Sequence, residues 1–266
     1  MSFSSFIGNE AAKSQIENFI SKDKIPHAII LEGARGLGKR TLAKLISKAC
    51  VCEKTWEKPC GKCIHCKKVD REVHPDVIYP EKSGALHTYN IETIREMRED
   101  AYIIANEAQN KVYVLTEVDN MGIPAQNALL KILEEPPANV IFILTCISSM
   151  NLLQTIRSRM QIISLVPVHF EEAKLYIRKK YKELPDAKID EAVKISYGNI
   201  GLAIEMLTSE GLKETVRIAN DIASVIVSPR PFELLKATSG LISDRKKFKE
   251  VLNFIIIFLR EALILS

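Results

Sequence analysis

The stretch Ala28-Ile-Ile-Leu31-Glu-Gly33-Ala-Arg-Gly36-Leu-Gly38-Lys39-Arg40-Thr41-Leu-Ala-Lys-Leu-Ile46 decides the fold. A short apolar run, a glycine-rich break and an amphipathic run predict a buried strand that turns into a helix. Such a turn lets backbone N–H groups and the helix N-terminus converge on a phosphate, while the lysine supplies a mobile positive charge. Gly33, Gly36, Gly38 and Lys39 therefore mark a P-loop, with an ordinary glycine-rich turn as the plainer alternative.

One position departs from that pattern. A working P-loop has Ser or Thr directly after the lysine, because the hydroxyl coordinates the Mg²⁺ that bridges the outer phosphates. Here Arg40 follows Lys39, and a guanidinium repels a cation. Thr41 carries a hydroxyl, but one residue further along a helix is about 100° around the axis. A second departure follows at Lys111-Val-Tyr-Val-Leu115-Thr116-Glu117-Val-Asp119, a buried strand that emerges into acids. In P-loop ATPases this strand ends in an Asp that holds the Mg²⁺ shell, often followed by a Glu that polarises the attacking water. Thr116 stands at the Asp position and Glu117 at the Glu position; Asp119 reaches back only if the chain bends.

The chain has 266 residues, of which 47% are hydrophobic, enough for a sizeable core and two or three domains. Apolar runs such as Val140–Cys146 and Phe254–Phe258 are too short to span a bilayer, and Met1-Ser-Phe-Ser-Ser-Phe lacks the blocks of a signal peptide. A cytoplasmic location is expected, with no membrane partner. The net charge of +4 permits nucleic acid as a partner without demanding it.

Six cysteines in a chain without an export signal point to thiols or a metal, not disulfides. After Cys50-Val-Cys52 and a polar spacer comes Pro59-Cys60-Gly-Lys-Cys63-Ile-His-Cys66. Tight Cys-x-x-Cys turns deliver thiolates that converge tetrahedrally, so Cys60, Cys63 and Cys66 are expected to hold a structural Zn²⁺. Cys52 is the chosen fourth ligand, with Cys50, His65 and His74 as the other candidates.

Outside these motifs, a helix is expected over Ala11–Ile20 with Ala12, Ile16, Phe19 and Ile20 on one stripe. The P-loop helix should run to about Ala49, a strand is expected at Val77–Tyr79, and a helix from Ile91 to about Asn106. Arg95 and Arg98 on that helix form a pair that either faces DNA or, as is commoner, is simply solvated. A helix over Ala125–Glu135 starts at Pro124 and stops at Pro136-Pro137. A strand follows at Val140–Thr145, then a helical segment ending in Arg157-Ser158-Arg159, and a short strand that begins at Ile162. An arginine at such an edge can reach a neighbouring subunit's nucleotide. Helical patterns continue over Phe170–Tyr181, Asp190–Ser196, from Ile200, and over Thr215–Val227, Pro231–Thr238 and Lys246–Leu265.

Gly33-x-x-x-x-Gly38-Lys39, the cysteine insertion, His74-Pro-Asp76, Asn127-Ala-Leu-Leu-Lys-Ile-Leu-Glu-Glu-Pro-Pro137 and Ser158-Arg159 occur in one order. That series resembles the AAA+ clamp-loader subunits of bacterial DNA polymerase III, those of the delta prime type in particular, over most of the first 200 residues. The resemblance implies an α/β fold: a P-loop AAA+ domain of RecA-like parallel sheet with a zinc module (residues 1–165, the module at about 50–66). A helical lid (166–207) and a helical collar (208–266, expected to be incomplete) follow. It further implies a subunit that joins gamma/tau and delta subunits to load the sliding clamp onto primed DNA, with Arg159 as an arginine finger in trans. The family's Ser-Arg-Cys motif is departed from at Met160. In relatives that hydrolyse ATP, an arginine stands in the segment matching Gly198-Asn-Ile-Gly201-Leu-Ala203, and here that position is Gly201. Arg40, Thr116 and Gly201 together imply a subunit without hydrolysis of its own. Binding of ATP or ADP is left open by Lys39 and the backbone donors, and the alternative is a gamma/tau-type motor.

Overall fold

The computed structural model describes residues 3–54, 57–83 and 87–227, with scattered positions between 238 and 259. It divides into two compact units, residues 1–176 with 197–201, and residues 177–196 with 202–266.

The first unit is built on five parallel strands: β1 (Ala28–Glu32), β2 (Val77–Ile78), β3 (Lys111–Leu115), β4 (Val140–Cys146) and β5 (Gln161–Ser164), in the order β2-β3-β4-β1-β5. A strand buried on both faces reads as a continuous apolar run, which is why Ala28–Leu31 and Val140–Cys146 show no polar alternation. Their side chains still divide by parity. Ala28, Ile30, Tyr113, Leu115, Phe142 and Leu144 join one core cluster, whereas Ile29, Leu31, Val112, Val114, Ile141 and Ile143 join the other.

Each cluster is closed by helices. The second takes its cover from α1 (Glu10–Ser21), α2 (Lys39–Val51) and α3 (Ile64–Asp70) through residues such as Ile16, Leu42, Ile46 and Val69. The first is covered by α4 (Ile91–Ala101), α5 (Ile123–Glu134) and α6 (Gln154–Arg157) through Ile94, Leu129, Ile132 and Ile156. Local chemistry sets the ends. Asn90 caps α4 by accepting the Thr93 N–H at 2.7 Å, and Pro124 lies in the first turn of α5, where its missing N–H costs nothing.

Helix α4 stops at Ala101, short of the expected Asn106. Past its end the chain is held by Asp76, which is fully buried and accepts the backbone N–H groups of Asn106, Glu107 and Ala108 at 2.6, 2.8 and 2.9 Å. Those donors cannot also serve a helix. Helix α3 was not anticipated; it is seven residues long and begins where the Cys63 sulfur accepts the Cys66 N–H at 3.4 Å.

Helices α7 (Phe170–Lys180), α8 (Asp186–Ile195), α9 (Ile200–Thr208) and α10 (Glu210–Val227) follow. In the second unit Met206, Val216, Ala219, Ile222, Phe254 and Phe258 share one apolar cluster. All but Thr238 of the helix expected at Pro231–Thr238, and half of that expected at Lys246–Leu265, lie outside the described residues.

Candidate functional site

In this sheet β1 lies between β4 and β5; the chain leaving β1 runs toward β2 while the chain leaving the adjacent β4 runs the other way to β5, so the carboxyl ends of β1 and β4 flank the kind of crevice in which such folds bind ligands. The glycine-rich turn occupies that crevice. Gly38, at φ 83°, is the N-cap of α2, a conformation that favours glycine, and α2 aims its N-terminus at the loop. The backbone is therefore arranged for a phosphate.

The side chains around it are committed elsewhere. The Lys39 ammonium donates to the Gly33 and Ala34 carbonyls at 2.5 and 2.8 Å, and burial lowers its pKa against the pull of Asp119, Cys146 and Glu117. Arg40 points away and pairs with Glu72 at 3.2 Å, with Lys44 on the same carboxylate at 3.5 Å. Thr41 is exposed.

At the end of β3, Glu117 sits in the left-handed region at φ 53° and pairs with Lys82 at 2.7 Å. That ammonium holds the Glu117 carboxyl below the usual carboxylate range. Asp119 accepts the N–H groups of Ile147 and Ser148 at 2.7 and 3.2 Å, which ties it to the turn after β4. Thr116 offers a hydroxyl where a carboxylate would bind the cation.

Gly201 packs directly on the P-loop. Its N–H donates to the Gly36 carbonyl at 3.0 Å, and a Cβ built on Gly201 would lie 2.5 Å from the Gly36 Cα. Asn199 adds a bond from its Nδ2 to the Arg35 carbonyl at 2.8 Å. A long cationic side chain at position 201 has no room to leave the backbone without moving the loop. These groups do not fit a Mg²⁺ shell: the positions that would hold the cation carry Arg40 and Thr116, and both nearby acids are engaged.

The four cysteines Cys52, Cys60, Cys63 and Cys66 place their sulfurs within 4.8 Å of one another, a group that can hold a metal ion. A tetrahedral Zn²⁺ with bonds of about 2.3 Å needs sulfurs about 3.8 Å apart. The Cys60 and Cys66 sulfurs are 4.0 Å apart, which fits. Backbone N–H groups point at the sulfurs in sequence: Cys60 to Cys52, Cys63 to Cys60 and Cys66 to Cys63, each at 3.4 Å. Although burial acts to raise it, Cys60 is drawn down to about 6, by the amides of Lys62 and Cys63 above all; burial pushes Cys66 up. Cys50 lies apart, in the apolar cluster under α2, where burial pushes its thiol up to about 12. With zinc bound, these residues would supply a rigid cross-link and no open position for chemistry.

His65 and His74 form a second group with Glu107, again within 4.8 Å. Both ring nitrogens of His74 are already hydrogen-bonded. Its Nδ1 accepts the Asp76 N–H at 3.0 Å, so in the neutral ring the proton is on Nε2, which lies 2.8 Å from Nδ1 of His65. His65 in turn presents Nε2 to Glu53 at 3.3 Å. A directed chain thus runs from the Asp76 amide through both imidazoles to a carboxylate. Burial lowers the His74 pKa, with His65 adding to it, in keeping with a neutral ring. The sequence reading missed this use of His74-Pro-Asp76; an aspartate two residues after a histidine and far from any helix start was the available signal.

Arg159 follows α6 and meets Glu134 of α5 at 2.9 Å and the Thr155 carbonyl at 2.9 Å. Arg95 is exposed and Arg98 half-buried on α4.

The family described as "DNA polymerase III, delta subunit" matches residues 8–169. The chain is 34% identical to the DNA polymerase III subunit gamma of Buchnera aphidicola from Acyrthosiphon pisum, over 94% of this chain and 71% of that protein. It is 32% identical to the delta' subunit of Bacillus subtilis over 57% of this chain and 45% of that one. Among solved structures, the RuvB Holliday junction branch migration motor of Thermotoga maritima superposes with a TM-score of 0.51 at 18% identity, covering 91% of this chain and 72% of that one. At that identity the likeness is one of fold.

Proposed function

From the premise that this chain belongs to the family of DNA polymerase III clamp-loader subunits, we propose that it is the subunit of delta prime type, one that does not hydrolyse ATP. It assembles with gamma/tau-type and delta-type subunits, and the complex places the sliding clamp on primed DNA in the cytoplasm. Its own contribution is a fixed scaffold and an arginine, Arg159, that enters the nucleotide site of the adjacent motor subunit and stabilises charge on the γ-phosphate. Relatives named gamma and tau are matched as well as relatives named delta', so the choice rests on the site.

The observation that carries it is the disposal of the cation-binding groups: Arg40 sits in an ion pair with Glu72, and Glu117 in one with Lys82. The cysteine group takes structural Zn²⁺. The loop retains backbone donors for ATP or ADP without a Mg²⁺ shell around them.

Two measurements test this. Arg159→Ala should leave assembly intact but lower ATP turnover of the reconstituted complex on the order of 10³-fold, since comparable fingers contribute 10³ to 10⁵. Unchanged turnover refutes the role. The isolated chain should show no Glu117-dependent ATPase at high Mg²⁺; such activity would make it a gamma/tau-type motor instead.

A further inference from the structure

We infer that Glu134 is a positioning residue for the Arg159 finger, an inference that rests on the trans-acting role given to that arginine above. Nη2 of Arg159 is 2.9 Å from Oε1 of Glu134, while Nη1 donates to the Thr155 carbonyl at 2.9 Å and to the Ser158 hydroxyl at 3.4 Å. Those contacts engage three of the five guanidinium donors, and two remain for the oxygens of a phosphate. The head group is held from two sides by separate helices, α5 through Glu134 and α6 through Thr155.

Helix stability does not explain the placement of Glu134. It stands in the last turn of α5, at the negative end of the helix dipole, and Glu135 follows it. A cation is favoured there and a carboxylate is not. Arg159 supplies the missing positive charge from 25 residues further along the chain, after β4 has crossed the sheet. Both side chains are open to water, Arg159 at 36% and Glu134 at 49%, so the pair adds little to folding.

Its effect is on direction. A free arginine samples many rotamers, and gripping a phosphate requires that freedom to be given up at the moment of reaction. Glu134 and Thr155 order the stem and one edge of the guanidinium beforehand. The finger is then presented in one orientation to whatever subunit docks beside it.

The test uses the complex reconstituted with its own motor subunits, with ATP turnover measured on clamp and primed DNA. Glu134→Gln is expected to lower kcat about 2- to 10-fold, the scale for ordering one long side chain, with KM for ATP and assembly unchanged; Glu134→Asp should recover most of the loss. In an Arg159→Ala background Glu134→Gln should have no further effect, because a residue that acts through the finger has nothing left to aim. An unchanged or raised kcat for Glu134→Gln, beside a depressed Arg159→Ala, overturns the inference and leaves the finger standing. So does an additive double mutant or loss of assembly, each of which marks a structural role. A silent Arg159→Ala removes the finger itself and the inference with it.

Discussion

The P-loop and the cysteine module lie at opposite ends of α2, and they differ in what each has kept. At the P-loop the backbone keeps the form of a phosphate site, but the side chains are turned to other work: Arg40 to Glu72, Glu117 to Lys82, and Asp119 to the turn after β4. In the cysteine module the side chains themselves converge, and the N–H groups behind them point at the sulfurs. Backbone shape alone preserves a fold, whereas chemistry needs its side chains uncommitted.

Breaking the module should produce the largest effect. Cys63→Ser, or chelation of the wild type, should abolish stoichiometric zinc and lower the melting temperature sharply, since structural Zn²⁺ contributes on the order of 10 kcal/mol. Elemental analysis and calorimetry read this directly. If zinc is absent from the wild-type protein, the two regions are alike in having lost their ion.

Restoring the arginine of the ATP-hydrolysing relatives, by Gly201→Arg, comes next. The new Cβ meets backbone, not a flexible side-chain end, so destabilisation of about 1–3 kcal/mol is expected, with no gain of ATPase. Denaturant unfolding measures the loss. Full stability together with new hydrolysis would mean that the site is one substitution away from working, and the contrast would collapse.

Asp76→Asn sharpens the comparison from the module's side. Burial would raise the Asp76 pKa, but the amides of Asn106, Glu107 and Ala108 outweigh it and hold the group below its usual range. The unfolded chain then binds more protons than the folded one in that interval. The stabilisation is fully present above the unfolded pKa of about 4 and is lost as pH falls through the folded value. The variant should lose about 1.5–3 kcal/mol at neutral pH. It should also have a flatter stability profile below pH 4 or so; a profile as steep as that of the wild type would show that Asp76 does not titrate in this way.

Arg40→Ala should have the smallest effect. An exposed ion pair contributes about 0–1 kcal/mol, so the melting temperature should barely move, and Mg²⁺-dependent hydrolysis should not appear because Thr116 and Gly201 remain.

What was legible in the sequence follows the range of the interactions. The glycine spacing and the Cys-x-x-Cys turns are local, so strand, loop, helix and sulfur cluster could be read from neighbouring residues. The path of the chain after α4 could not, because the acceptor that holds it is Asp76, thirty residues before Asn106. The partners of Glu117, Arg40 and Arg159 lie 35, 32 and 25 positions away, and only the completed sheet brings them together. The sequence shows which residues depart from a motif; it does not show where they go.

The sheet ends in very short outer strands, two residues in β2 and four in β5. Few backbone groups are on offer at either border, so a strand added there would gain few hydrogen bonds. A subunit docking on this unit would then be recognised mainly through helices and loops, by the identity of their side chains rather than by shared backbone hydrogen bonds.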